Sequence, residues 1–168
     1  MMWMLIFAPF VVQAVSITLD EYVFHIKRGL PKWERIGHPL DTLSVLSCFL
    51  FVFFFPYSET HFKWYIGIAI FSCILITKDE FVHKHHCPAS EQWLHALLFV
   101  NHPIMLAALA FMWPVLSAET LPSWVPAFFN HKQAFYPFLL MQIGTISFFL
   151  LYQVIYWNFI WKPKTLPL

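Results

Sequence analysis

Charged residues are scarce in this sequence, and their scarcity argues against a soluble globular domain. Lysine, arginine, aspartate and glutamate make up 11% of the 168 residues, whereas soluble domains carry about 25%. Hydrophobic residues make up 60%, and the mean hydropathy is +0.64. The formal net charge of +1 leaves no basic surface for a nucleic acid. The composition therefore predicts an integral membrane protein.

Glycine is scarce too, and the motifs that depend on it are missing. The chain has four glycines and no G-x-G-x-x-G segment, which argues against a flavin or nicotinamide enzyme. It has neither the G-x-S-x-G of serine hydrolases nor the HExxH of zinc proteases. The three cysteines do not form a disulfide framework, because Cys48 and Cys73 lie within apolar runs. Cys87 remains a weak candidate for a metal ligand or a nucleophile.

Five segments have the apolar length of about 20 residues that a bilayer-spanning helix needs. We therefore predict an all-α polytopic membrane helix bundle of about five transmembrane helices, forming a single domain over residues 1–168. The first segment lacks the basic start and small-residue cleavage site of a signal peptide, which predicts a retained helix. Prolines 39, 103 and 114 are expected to kink or begin helices, and 121–133 is expected to be an interfacial loop. The predicted spans are about 2–24, 39–57, 63–82, 92–117 and 134–160.

The basic residues predict the orientation of the bundle. Eight of the ten follow spans one, three or five, and only Lys63 and Lys132 fall on the opposite side. Positively charged loops stay in the cytoplasm, so we expect the N-terminus outside and the C-terminus inside, in a bacterial inner membrane. The eight are Lys27, Arg28, Lys32, Arg35, Lys78, Lys84, Lys162 and Lys164.

Acids and histidines gather on the same predicted cytoplasmic side. Seven of nine acids and seven of nine histidines lie there, although the topology rule concerns only lysine and arginine. Charged groups near hydrocarbon are costly and are functional candidates by default. These residues are Asp20, Glu21, Glu34, Asp41, Asp79, Glu80, Glu91, His25, His38, His83, His85, His86, His95 and His102.

The two hairpins on this side share a sequence pattern. DEYV at 20–23 and DEFV at 79–82 are each followed by P-x2-E-x3-H, which ends at His38 or His95. We interpret this as an internal duplication, with residues 1–57 and 63–117 as repeated helical hairpins and 134–168 as a fifth span and tail. A rival register pairs the His-Pro steps at 38 and 102.

Carboxylates and imidazoles in these hairpins are spaced to share helix faces. Residues at i, i+4 or i, i+3 are neighbours on a helix surface. Any one of them could instead cap a helix or pair with a nearby lysine or arginine, so the group rather than a single residue indicates a metal. The candidate ligands are the pairs Glu21–His25, Glu34–His38, Glu80–His83 and Glu91–His95. Further candidates, as ligands or as partners of ligands, are Asp20, Asp41, Asp79, His85, His86 and His102.

The ligand types favour a two-metal centre. Soluble di-iron and di-manganese bundles use glutamates and Glu-x-x-His pairs from four helices, and mixed carboxylate and imidazole ligands suit iron, manganese or zinc. Membrane di-iron hydroxylases and desaturases are similar to this chain in being rich in histidine at the cytoplasmic ends of their spans. Their usual H-x3-4-H and H-x2-H-H sets are absent here, and His83-Lys84-His85-His86 is the nearest equivalent.

The leading hypothesis is a membrane-embedded metalloenzyme with two iron ions at the cytoplasmic ends of its helices. It would hydroxylate or desaturate a lipophilic substrate, such as a membrane lipid or a quinone, with electrons from a donor. Manganese could replace iron, and zinc would indicate hydrolysis. The alternatives are a haem-binding electron-transfer subunit and a metal or proton transporter.

Overall fold

The computed structural model describes residues 2–79 and 87–162, and the side chains within 3–78 and 87–162. The described residues are helical with no strands, and five helices are long and apolar enough to cross a membrane. The predicted all-α bundle of five spans is therefore confirmed. The duplication of the helical hairpin stays a prediction.

The helices begin and end within a few residues of their predicted bounds. The largest difference is at the start of the second helix, which begins five residues before Pro39 and so includes the first Glu-x3-His segment. The prolines at 39, 103 and 114 lie inside helices rather than at their starts. The helices are α1 Trp3–Arg28, α2 Glu34–Phe54, α3 Glu59–Lys78, α4 Ala89–Ser117 and α5 Lys132–Ile160.

Local chemistry fixes two of the helix ends. Ser58 caps α3, because its hydroxyl accepts a hydrogen bond from the backbone N–H of His61 at 3.1 Å. Gly29 ends α1 with a φ of 77°, a conformation that glycine adopts at low cost. The ring of Trp161 packs so closely there that a Cβ atom on Gly29 would lie 2.5 Å from it. Gly29 thus lets the chain turn from α1 toward α2.

Two short π-helical turns interrupt the regular helices. One covers Asp20–His25 near the end of α1, and the other covers Tyr156–Ile160 at the end of α5. Such turns are rare and occur frequently at functional sites. Both lie at the same end of the bundle, beside the starts of α2 and α4. We call this the site end.

The two halves of the bundle differ in what they bury. Helix α1 packs with α4, and α2 packs with α3 and α5. In the half away from the site end, the wholly buried side chains include Phe49, Trp113 and Phe135. The Trp113 Nε1–H donates to the Phe55 carbonyl at 2.9 Å, so its polar atom is satisfied. At the site end the buried side chains include carboxylates and imidazoles.

Candidate metal centre

The π-helical turn in α1 aims three ionisable side chains into the bundle. His25 Nδ1 lies 3.1 Å from Glu21 Oε2, and His25 Nε2 lies 3.2 Å from Asp20 Oδ2. An ordinary α-helix would bring together only residues at i, i+3 and i, i+4. The wider turn also brings the i, i+5 pair Asp20 and His25 onto one face. Asp20 was only a secondary candidate from the sequence, and it lies at the centre of the site.

The start of α4 completes a first group of four buried residues. Glu91 Oε1 lies 3.8 Å from His25 Nε2, and His95 Nε2 lies 3.2 Å from the Asp20 carboxylate. Asp20, His25, Glu91 and His95 each offer one ligand atom, and these atoms all lie within 4.8 Å of one another. We call these residues the four-residue group.

The start of α2 adds a second group next to the first. His25, Glu34 and His38 also offer ligand atoms within 4.8 Å of one another. The ring centroids of His25 and His38 are 4.9 Å apart, and the two ring planes make an angle of 72°. We call these residues the three-residue group. His25 belongs to both groups, so α1 lies between the two Glu-x3-His segments.

Glu21 lies behind His25 and outside both groups. Its Oε1 accepts hydrogen bonds from the Tyr152 hydroxyl at 2.6 Å and from Trp157 Nε1 at 2.9 Å, both on α5. Its other oxygen accepts from His25 Nδ1. Metal-binding histidines are commonly oriented by such a carboxylate. In this arrangement Nδ1 faces Glu21, and Nε2 faces Asp20 and Glu91.

The inward face of His25 includes buried polar atoms that a bound cation would satisfy. His25 Nε2 and Glu91 Oε2 are buried and make no hydrogen bond with any described residue. Nε2 carries a lone pair when Nδ1 holds the proton, yet two carboxylates face it at 3.2 and 3.8 Å. Such a set of buried acceptors is costly unless a positive charge lies among them.

Acidic side chains outnumber basic ones among the described residues of the site. Arg28 donates from Nη2 to Glu91 Oε1 at 2.7 Å and from Nη1 to Glu34 Oε2 at 3.1 Å. The buried acids in the described part of the site are Asp20, Glu21, Glu34 and Glu91. Burial of charge without a compensating partner costs several kcal/mol per ion. Metal cations or additional protons would offset negative charge that remains on these acids.

Two further candidates lie near the groups but outside them. Asp41 forms an ion pair with Lys78, whose Nζ lies 2.6 Å from the carboxylate. His102 is buried farther along α4, and its Nε2 lies 3.0 Å from the Ser72 hydroxyl. The remaining candidates, Glu80, His83, His85, His86 and the side chain of Asp79, lie outside the described residues.

Sequence reasoning missed two residues of the site. Arg28 entered the sequence argument as a topology charge and as one of the nearby basic residues with which a candidate could pair, and Trp157 was not considered. Neither Arg28 nor Trp157 belongs to a ligand motif, so no local pattern marked them.

Cys87 lies at the edge of the site, outside the spans. Burial and the neighbouring Glu91 carboxylate raise the pKa of its thiol to about 12. The thiol is therefore protonated at neutral pH. A nucleophilic cysteine needs the opposite shift, so the surroundings of Cys87 do not favour covalent catalysis.

A cavity of about 290 Å³ begins at the site. Its wall includes Asp20, His25 and His95 at one end and Phe10 and Met105 at the other. Most of the wall between them is apolar. The site therefore faces a largely apolar cavity that can receive a lipophilic molecule.

Comparison of the sequence with protein-family models found no match, and searches among curated proteins and solved structures also found no significant similarity. The function must therefore be argued from the geometry of the site.

Proposed function

We propose that this protein is a membrane-embedded metalloenzyme with a two-metal centre, containing iron, that hydroxylates or desaturates a lipophilic substrate such as a lipid or a quinone. One observation carries the proposal most directly. Two groups of carboxylates and imidazoles, buried except for the partly exposed His38, share His25 and lie at one end of a largely apolar cavity. The candidate ligand atoms therefore lie next to the space that a substrate would occupy.

The four-residue group would hold the first ion, and Glu34 with His38 would contribute to the second. Glu21 engages His25 Nδ1, so the imidazole would offer a cation its Nε2. Glu34 and Glu91 both contact Arg28, so this guanidinium links a carboxylate of one group to a carboxylate of the other. Oxygen and nitrogen ligands of these kinds suit iron or manganese.

The reaction requires electrons from outside the chain. A redox-active centre would supply the activation of dioxygen. Hydroxylation replaces one C–H bond with C–OH, and dioxygen takes two electrons and two protons from a donor and leaves one water. Desaturation removes two hydrogens from adjacent carbons, and with the same two electrons and two protons leaves two waters. The donor would be a redox protein or a quinol, and Glu21 would keep His25 in the correct tautomer throughout.

The shape of the interior favours this proposal over a transporter. A transport route would need polar groups through the whole depth of the membrane. Beyond Met105 the described interior is filled by large apolar side chains such as Phe49, Leu109, Met112 and Trp113. A haem with two histidine ligands would need two imidazoles on opposite faces of a flat ring, whereas the Asp20 carboxylate lies between the imidazoles of His25 and His95.

A comparison of cell lipids tests this proposal. Cells that express the protein would be compared with cells that express His25→Ala, with His61→Ala as the matched control. His61 lies at the opposite end of the bundle, where its ring contacts the Pro56 carbonyl. We expect a lipid or quinone that gains one oxygen atom or loses two hydrogens in wild type and in His61→Ala, but not in His25→Ala. Identical lipid and quinone profiles in all three strains, with the protein present and iron bound, would overturn the proposed oxidation.

A further inference from the structure

Helices α1 and α5 are in contact at two levels, and we call the gap between these two sets of contacts the slot. Away from the site, Phe138 packs on Phe7 with ring centroids 4.3 Å apart and on Phe10 at 5.1 Å. At the site end, Tyr152 and Trp157 donate hydrogen bonds to Glu21. Phe10 and Glu21 are eleven positions apart, which corresponds to about 16 Å of helix. The slot between α1 and α5 is therefore closed at its ends and has the length of half a membrane.

The cavity reaches the surface of the bundle through this slot. Ala14 and Thr18 on α1 and Thr145 and Phe148 on α5 line the cavity and are also exposed on the surface. Phe148 is 74% exposed. Because both helices are membrane spans, the surface at this point faces lipid rather than water.

We propose that the slot is a lateral portal through which one acyl chain of a membrane lipid enters the cavity, while the headgroup stays outside. The cavity lies at the lower end of the range of roughly 300–1,000 Å³ for ligand pockets, which suits a single chain better than a fused ring system. The contacts of Tyr152 and Trp157 with Glu21 close the end nearest the interface. The polar headgroup therefore stays outside the bundle at that end, and the acyl chain enters the slot on the side of these contacts that faces the membrane interior.

The polar groups on the cavity wall are compatible with an acyl chain. The Gln13 amide oxygen accepts from Asn101 at 2.9 Å, and the Gln153 amide oxygen accepts from Thr42 at 2.7 Å. Because these amide oxygens already accept hydrogen bonds within the protein, an acyl chain beside them leaves neither oxygen unpaired. The assignment of the lipid as a substrate rests on the proposed function, whereas entry of the chain into the cavity requires no metal.

Photochemical labelling tests the portal. The full-length protein would be reconstituted in phosphatidylcholine vesicles that contain a phospholipid with a diazirine in one acyl chain. After illumination, adducts would be mapped by peptide mass spectrometry. We expect adducts on Met105, which is 3% exposed and lines the cavity. Ala14→Trp or Thr145→Trp should fill the slot and reduce these adducts several-fold. Gly67→Trp on α3, where added atoms meet open space, should not.

The outcomes separate the portal from the proposed enzyme. Adducts confined to exposed residues, or adducts on Met105 that neither slot variant reduces, would overturn the portal. Stronger labelling of Met105 by a photoreactive quinone than by the phospholipid would overturn the choice of an acyl chain. Samples with and without chelator would be run in parallel with metal analysis. Labelling of Met105 in a protein that binds no metal would uphold the portal and defeat the proposed enzyme, and bound metal without such labelling would do the reverse.

Discussion

The two Glu-x3-His segments have the same spacing but meet different partners. Both begin a helix at the site end, and their glutamates are almost equally buried, with 1% exposure for Glu34 and none for Glu91. His95 on α4 contacts Asp20, whereas the ring of His38 on α2 faces His25. The repeated spacing places each carboxylate and imidazole on one face of a helix. The π-helical turn of α1 decides which residues they meet, and it makes His25 common to both.

The largest effect is therefore expected from His25→Ala. The substitution removes the one side chain shared by the four-residue and three-residue groups. Loss even of the groups that orient a ligand costs about 10–100-fold in metal affinity, and loss of a ligand itself should exceed this. Elemental analysis of purified protein should show at least one bound ion fewer per chain in the variant than in wild type. Retention of wild-type metal content in His25→Ala would contradict its role as a ligand.

The next largest effect is expected from Arg28→Gln. The substitution leaves Glu34 and Glu91 without the guanidinium that contacts both. Removal of one partner from a buried ion pair costs about 3–5 kcal/mol, and a bound cation should restore part of this. Thermal unfolding in detergent should show a larger stabilisation by iron or manganese in Arg28→Gln than in wild type. Equal stabilisation of the two proteins would mean that Arg28 and the metal do not balance the same charges.

A smaller difference is expected between Glu91→Gln and Glu34→Gln. The two substitutions are matched in chemistry and in burial. Glu91 belongs to the four-residue group and Glu34 to the three-residue group, so Glu91→Gln should weaken the more complete site. Titration with iron or manganese under anaerobic conditions should show a greater loss of affinity in Glu91→Gln. A greater loss of affinity in Glu34→Gln would mean that the ion next to the start of α2 is bound more tightly.

The smallest effect is expected from Tyr152→Phe. The variant loses one of two donors to Glu21 Oε1, while Trp157 still donates. We expect a loss of metal affinity near the lower limit of about 10-fold for groups that orient a ligand. Tyr156→Phe is the matched control, because its ring stacks on that of Tyr152 at 5.2 Å. A similar loss in both variants would indicate a packing effect instead of an effect on Glu21.

Much of the fold could be predicted from sequence because hydrophobic length alone identifies membrane spans. The i, i+4 spacing also selected Glu91 and His95, which lie in the four-residue group. Asp20 could not be ranked correctly, because the π-helical turn that brings it to His25 leaves no mark in a hydropathy pattern. Arg28 and Trp157 reach the site across tertiary contacts with Glu91 and Glu21. Such long-range pairings are absent from local sequence patterns.

The metal content of the wild-type protein is the most direct test of the proposed centre. The protein would be purified in detergent, analysed for bound metals, and analysed again after anaerobic loading with iron, manganese or zinc. We predict two iron or manganese ions per folded chain and an absorption spectrum without a Soret band. A folded protein that holds none of the three metals after loading would contradict the proposal.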